Sequence, residues 1–127
     1  MEIPHELSMS AFGRLLGCRP LTLERGRAEV ALSLTPDLHN RLGKLHGGAL
    51  FSLLDIAMSL ACSSVHGFDT RSVTQECKIN YMRGVDDGEV ICVATVVHTG
   101  SRTLVVDADI RQGEFLVAKG LATFALL

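Results

Sequence analysis

Hydrophobic and polar positions change period once along this chain, and the change separates one long helix from a set of strands. Between Leu45 and Phe68 the only Asp, Glu, Lys or Arg is Asp55. The core of that stretch, Gly47-Gly-Ala-Leu-Phe-Ser-Leu-Leu-Asp-Ile-Ala-Met-Ser-Leu-Ala-Cys62, is rich in Ala, Leu and Met and poor in β-branched residues. Such side chains lose little rotamer freedom in a helix. A membrane span needs about 20 apolar residues, and this run carries a carboxylate and several serines, so it predicts a helix buried in a protein core. After Gly67 the pattern turns to period 2. Thr103–Gln112 alternates Leu104, Val106, Ala108 and Ile110 with Val105, Asp107, Asp109 and Arg111, as a half-buried strand does. Val73–Arg83, Glu89–His98 and Phe115–Leu127 predict three more strands, punctuated by Gly84-Val-Asp-Asp-Gly88, Thr99-Gly-Ser101 and Gln112-Gly-Glu114. Ahead of the long helix, Arg27–Leu34 alternates after a turn at Glu24-Arg-Gly26, and Ser8–Leu16 predicts a short helix capped by Ser8.

Connections this short favour antiparallel pairing, because a parallel crossover needs a dozen or more residues. A helix that is apolar on nearly every side must be wrapped, and a curved antiparallel sheet can wrap it. The expected architecture is therefore α+β, one domain over residues 1–127, with a long central helix inside a curved sheet of about five to six strands. The Glu89–His98 strand is apolar on both faces. One face packs on the helix, and the other calls for a partner such as a second sheet from another subunit.

Composition narrows the functional classes. Lys and Arg number 12 against 14 Asp and Glu in 127 residues, a formal charge of −2, which lacks the basic face a nucleic-acid binder needs. Hydrophobic residues at 47% and charged residues at 20% exclude disorder. A mean hydropathy of +0.29 suggests that another subunit covers part of the apolar surface. The cysteines, at 18, 62, 77 and 92, form no C-x-x-C pair, so no zinc ribbon or redox motif is present and no metal is expected. Met1–Glu6 carries two Glu and a His where a secretory signal would be basic and then apolar. A cytoplasmic setting with buried, reduced thiols is expected, with no membrane partner.

Asp55 is the residue that demands an explanation. A carboxylate in an apolar helix is costly unless it is paired, hydrogen-bonded or protonated. Gly48, Ser52, Asp55, Ser59 and Cys62 follow steps of three and four, so they form one small and polar stripe that can border a cleft. Asp55 is either a solvent-facing or paired structural residue, or a general base or nucleophile whose burial makes it more basic. Just before the helix comes His46-Gly47-Gly48. The first N–H groups of a helix have no internal partners, and the macrodipole adds positive character there. Glycines let a substrate oxygen approach that backbone, which is the chemistry of an oxyanion hole. Asn40 reads as a turn residue or a substrate holder, and His46 as a substrate ligand or a structural hydrogen-bonder. Thr74, in a strand, reads on its own as a β-former.

Asn40-x5-His46-Gly47-Gly48-x6-Asp55, the Thr74–Arg83 strand and the Gly100-Ser-Arg-Thr103 turn together resemble the hotdog-fold acyl-CoA thioesterases, most closely the phenylacetate-degradation type. The resemblance runs from about Phe12 to the C-terminus. It implies hydrolysis of an acyl-CoA thioester, with coenzyme A as part of the substrate and no separate cofactor. It also implies a homodimer at least, commonly paired again into a homotetramer. By position, Asp55 matches the nucleophile or general base and Gly47 the N–H that polarises the thioester carbonyl. Asn40 and His46 match residues that position substrate or water. Thr74 stands where relatives have a Ser or Thr near the water, supplied by the opposite subunit. Arg102 lies where a basic residue often meets the nucleotide end of coenzyme A, and reads equally as a surface charge. Two positions depart from the pattern, Arg41 and Gly84, where Pro is usual in each case. A rival reading is a non-catalytic acyl-CoA or acyl-carrier-protein binding module, but a module that only binds has no use for a carboxylate in that helix. A hydratase on the same fold would carry its His and acid in other motifs.

Overall fold

The structure, a computed structural model, describes residues 9–127. Helix α1 (Ala11–Leu16) is capped by Ser10, whose Oγ accepts from Gly13 N–H at 3.0 Å, and it closes at Gly17 with φ 86°. The expected cap, Ser8, lies outside the described residues. Strands β1 (Arg19–Glu24) and β2 (Arg27–Ser33) precede a 3-10 turn at Pro36–Leu38 and the long helix α2 (Gly47–His66). Strands β3 (Ser72–Tyr81), β4 (Glu89–Thr99), β5 (Thr103–Gln112) and β6 (Phe115–Leu126) follow. The six strands form one sheet in the order β1-β2-β4-β5-β6-β3, every neighbouring pair antiparallel. The expected sheet around a central helix is met, for α2 touches all six strands.

The sequence pattern gives no strand ahead of the Glu24-Arg-Gly26 turn, yet β1 is there. It contains Pro20, and its register with β2 slips between Pro20 and Thr22, so its alternation is broken. Proline is tolerated because β1 is an edge strand.

Leu53, Leu54 and Met58 of α2 are fully buried in one core with Val30, Val106 and Phe124 from the sheet. Each such side chain contributes about 1.5–3 kcal/mol on burial. Gly120 on β6 sets how closely helix and sheet approach, since a Cβ there would stand 2.7 Å from Leu54 Cδ2 and 3.0 Å from the Lys78 carbonyl. At the far end of α2, buried Ser64 donates to Ala61 O at 2.6 Å and accepts from Gly26 N–H at 2.8 Å, which ties the helix to the β1–β2 turn. By length and hydropathy α2 could cross a membrane; here it is the core helix, with about half of its apolar window buried.

One side of α2 is left partly open. Ser52, Asp55 and Ser59 are only half-buried, as the stripe pattern predicts, but Cys62 is fully buried and the open side continues through Ser63 instead. All four cysteines are free thiols, with Cys18, Cys62 and Cys92 buried.

Candidate active site

The loop over residues 39–46 delivers His46 to the head of α2. Asn40 organises it: its Oδ1 accepts from Leu42 N–H at 2.9 Å and Lys44 N–H at 3.0 Å, and its own N–H donates to Lys44 O at 2.7 Å. This is the Asx-type turn that competes with regular structure. His39 and Leu45 bridge across it, Leu45 N–H reaches Val85 O at 2.9 Å, and His46 N–H reaches Leu38 O at 2.8 Å. The turn role of Asn40 is therefore real, while its amide NH₂ donates to no acceptor among the described residues.

His46 is the N-cap of α2. Its Nδ1 accepts from Gly48 N–H at 2.8 Å, which requires the proton on Nε2 in the neutral ring. The Ala49 and Leu50 N–H groups both reach His46 O, at 3.0 and 3.2 Å. Of the four amides in the first turn, only Gly47 N–H has no acceptor among the described residues. Gly48, expected to bind substrate, has its N–H engaged by the imidazole. Its lack of a side chain makes room for that ring, since a Cβ would lie 3.0 Å from Nδ1.

The acid lies two turns on. Asp55 Oδ1 accepts from Thr74 Oγ1 at 2.6 Å, a charge-assisted hydrogen bond. Thr74, expected near the water from the opposite subunit, holds the Asp55 of its own chain. A β-bulge explains how it gets there. Opposite β6, Thr74 pairs with Phe124 and Glu76 with Thr123, so Gln75 is the extra residue. Without that insertion Thr74 would face away from Cys77, Ile79 and Tyr81; with it, all four face the helix. Burial first, and the Asp55 carboxylate second, push the Cys62 thiol up to about 12 and Cys77 up to about 11. Among the described residues no His, Cys, Asp and Glu side chains group in a way that could hold a metal.

The model of the thioesterase superfamily matches residues 42–118, which span the end of the Asn40 loop, α2, and the strands through β5 into β6. The chain belongs to the thioesterase superfamily. Its fold is that of solved hotdog proteins. A conserved protein from Pseudomonas aeruginosa superposes with a TM-score of 0.95 at 59% identity, over 97% of this chain and 98% of that one. A point mutant of phenylacetic acid degradation protein PaaI from Thermus thermophilus gives 0.87 at 30% identity, over 93% and 100%. Escherichia coli acyl-coenzyme A thioesterase PaaI is 33% identical over 101 residues, 79% of this chain and 70% of that protein. The chain is thus a PaaI-like, hotdog-fold thioester hydrolase.

For a thioesterase, the arrangement offers an unengaged amide at the positive end of a 20-residue helix and a held carboxylate on the same helix. The two departures from the family pattern lie in or against the loop that precedes α2. A Cβ at Gly84 would stand 2.8 Å from Lys44 Cδ, so this glycine makes room for the Lys44 stem, whose ammonium pairs with Asp86. Arg41 is exposed in the Asn40 turn. Arg102 is exposed in the β4–β5 turn and engages the chain through its carbonyl, which accepts from Leu126 N–H at 2.8 Å; among the described residues nothing joins its side chain to the other site residues. A hollow of about 440 Å³ lies on the outer face of the sheet, lined by residues including Lys78, Asp107, Lys119 and Leu121, and no predicted site residue borders it.

One neighbour of the helix head is absent from the sequence reading. Tyr81, 34 residues downstream of Gly47, donates its hydroxyl to Gly47 O at 2.8 Å. The only advance signal was its parity with Cys77 and Ile79 on the helix-facing side of β3.

Proposed function

We propose that this thioesterase hydrolyses small, medium-chain or aryl acyl-CoA thioesters to the free acid and coenzyme A. The observation that carries this reading is the unengaged Gly47 N–H at the head of a helix whose only charged residue, leaving His66 aside, is Asp55. A thioester carbonyl oxygen accepting from that amide gains stabilisation as negative charge develops on it. Asp55 then acts in one of two ways. It attacks the carbonyl carbon, expels the coenzyme A thiolate and forms an anhydride that water cleaves, or it takes the proton of a water that attacks directly. The Asn40 amide and His46 Nε2–H position the substrate or that water, with the Thr74 hydroxyl beside the carboxylate. The coenzyme A thioesterase among the relatives supports this substrate class.

Helix geometry supports a site shared by two chains. Gly47 and Asp55 are eight residues apart, about 12 Å of helical rise. An oxygen held about 2.9 Å from an amide, with an attacking atom about 3–3.5 Å from its carbon, spans only about 7 Å. The Asp55 side chain leans back toward the helix start and recovers part of that gap, not all of it. A second copy would supply the missing proximity, with Gly47, His46 and Asn40 from one chain and Asp55 with Thr74 from the other. Strand β3 is the natural place to join them, a ten-residue edge strand with one side of its backbone unpaired.

Free-thiol release from a panel of short, medium, long and aryl acyl-CoAs tests this reading, with wild type beside Asp55→Ala. Turnover by wild type and a loss of at least ~10²-fold in the variant is the expected result. A folded wild-type protein that releases thiol from none of them overturns it, and tight binding without turnover would indicate the binding module.

A further inference from the structure

Two consecutive glycines at the head of a helix are the most conformationally free pair the chain can place there, yet a carbonyl-polarising amide must be held still before the reaction begins. Both peptide planes flanking Gly47 are restrained. The plane between His46 and Gly47 is held through its oxygen, which accepts from the Ala49 and Leu50 N–H groups at 3.0 and 3.2 Å. The plane between Gly47 and Gly48 is gripped at both ends. Its N–H donates to His46 Nδ1 at 2.8 Å, and its carbonyl accepts the Tyr81 hydroxyl at 2.8 Å. The Tyr81 ring also covers Gly47, with ring and hydroxyl atoms 3.4–3.5 Å from where a Cβ would be.

We propose that Tyr81 is a positioning residue for thioester hydrolysis, which acts through Gly47 by locking the Gly47–Gly48 peptide so that the Gly47 N–H stays aimed at the substrate carbonyl. The proposal rests on the thioesterase reading given above. The hydroxyl suits the task, because a phenol with a raised pKa remains a donor across the neutral range, and burial pushes Tyr81 above its ordinary 10.0. The bulge at Gln75 leaves Tyr81 and Thr74 on the same side of β3, so in a dimer with shared sites one strand serves two sites. It steadies the amide of one and the carboxylate of the other.

Tyr81→Phe keeps the ring against Gly47 and removes only the hydroxyl. The test compares this variant with wild type in steady-state hydrolysis. It also records the infrared carbonyl stretch of a bound, ¹³C-labelled ketone analogue in which a methylene separates the carbonyl from sulfur. The expected result is a fall in kcat of about tenfold with KM little changed, short of the ~10²–10³ that follows outright loss of an oxyanion donor. The low-frequency shift of the bound carbonyl should shrink in parallel. An unchanged kcat and carbonyl stretch in an active wild-type background overturns the positioning role alone. So does a lowered melting temperature with the carbonyl stretch unaltered, which marks a structural bond only. A wild-type protein without thioesterase activity overturns the positioning role and the reading beneath it together.

Discussion

Gly47 and Gly48 are adjacent in the chain but use their amides differently. Gly48 N–H holds the His46 imidazole, while Gly47 N–H is left unengaged at the positive end of α2. Proline at position 47 isolates that difference. Proline is favoured at the first position of a helix and lacks only the N–H in question. The residue before it must be extended, and His46 already has φ −63° and ψ 138°. Gly47→Pro should therefore fold normally by circular dichroism and lose about 10²–10³ in kcat, as for a deleted oxyanion donor. Full activity in that variant would place the carbonyl elsewhere. The Thr74 hydroxyl, 2.6 Å from Asp55, makes a smaller demand. Thr74→Val should lower kcat by about tenfold, or roughly 1.4 kcal/mol, and Thr74→Ser should restore it; equal rates in all three would reduce Thr74 to a β-former. Asp55 was legible in the sequence because a lone charge in an apolar helix has few ways to exist. The division of labour between the two glycines was not, because it depends on which nitrogen of His46 faces the helix.

At the scale of elements, the site rests on two exceptions to regular structure. The extra residue Gln75 in β3 turns Thr74 toward α2, and a strict period-2 reading of Val73–Arg83 hides this, since it puts Thr74 and Tyr81 on opposite faces. Gly120 in β6 has the converse effect of removing a side chain, so that Leu54 can rest on the strand. Gly120→Val should cost about 1–3 kcal/mol through overpacking, visible as a lower urea midpoint with activity retained in the folded fraction; an unchanged midpoint would mean that helix and sheet can separate freely. The α2 pattern and the boundaries of β5 were legible from hydrophobic period alone. β1 was not, since Pro20 and the slip beside it break the pattern at the sheet edge. The buried thiols give these elements a pH dependence. Burial pushes Cys18 up to about 11 and, with Asp55 adding to it, Cys62 up to about 12, from an ordinary 9.0. The folded state then holds protons that the unfolded chain releases above pH 9, so their stabilising contribution is complete below pH 9 and is lost as pH rises toward 12. Denaturant midpoints should fall between pH 9 and 11, and less steeply in Cys62→Ala. A flat profile in wild type would contradict this account of the thiols.

At the scale of the whole molecule, several large hydrophobic side chains stand exposed among the described residues. Val97 and Leu121 on the outer face of the sheet are each more than half exposed, beside Lys119, which reaches Asp109 at 2.7 Å and Asp107 at 3.3 Å. The open side of α2, with its serines and Asp55, and the edge strand β3 are further uncovered surfaces. High mean hydropathy and a strand apolar on both faces pointed to a partner, but no pattern in one chain could say which surface it covers or how the site divides. The proposed sharing of the site between two chains makes a prediction that belongs to the assembly. Asp55→Ala lacks the acid and Gly47→Pro the amide, and neither alone should turn over acyl-CoA appreciably. After subunit exchange of equal amounts, half of the dimers pair the two variants. Each of those has one intact site, with Gly47 from one chain and Asp55 from the other. Mixing the two inactive proteins should therefore restore about a quarter of wild-type thiol release. No recovery, with exchange verified by mass, would contradict a site built from Gly47 of one chain and Asp55 of another.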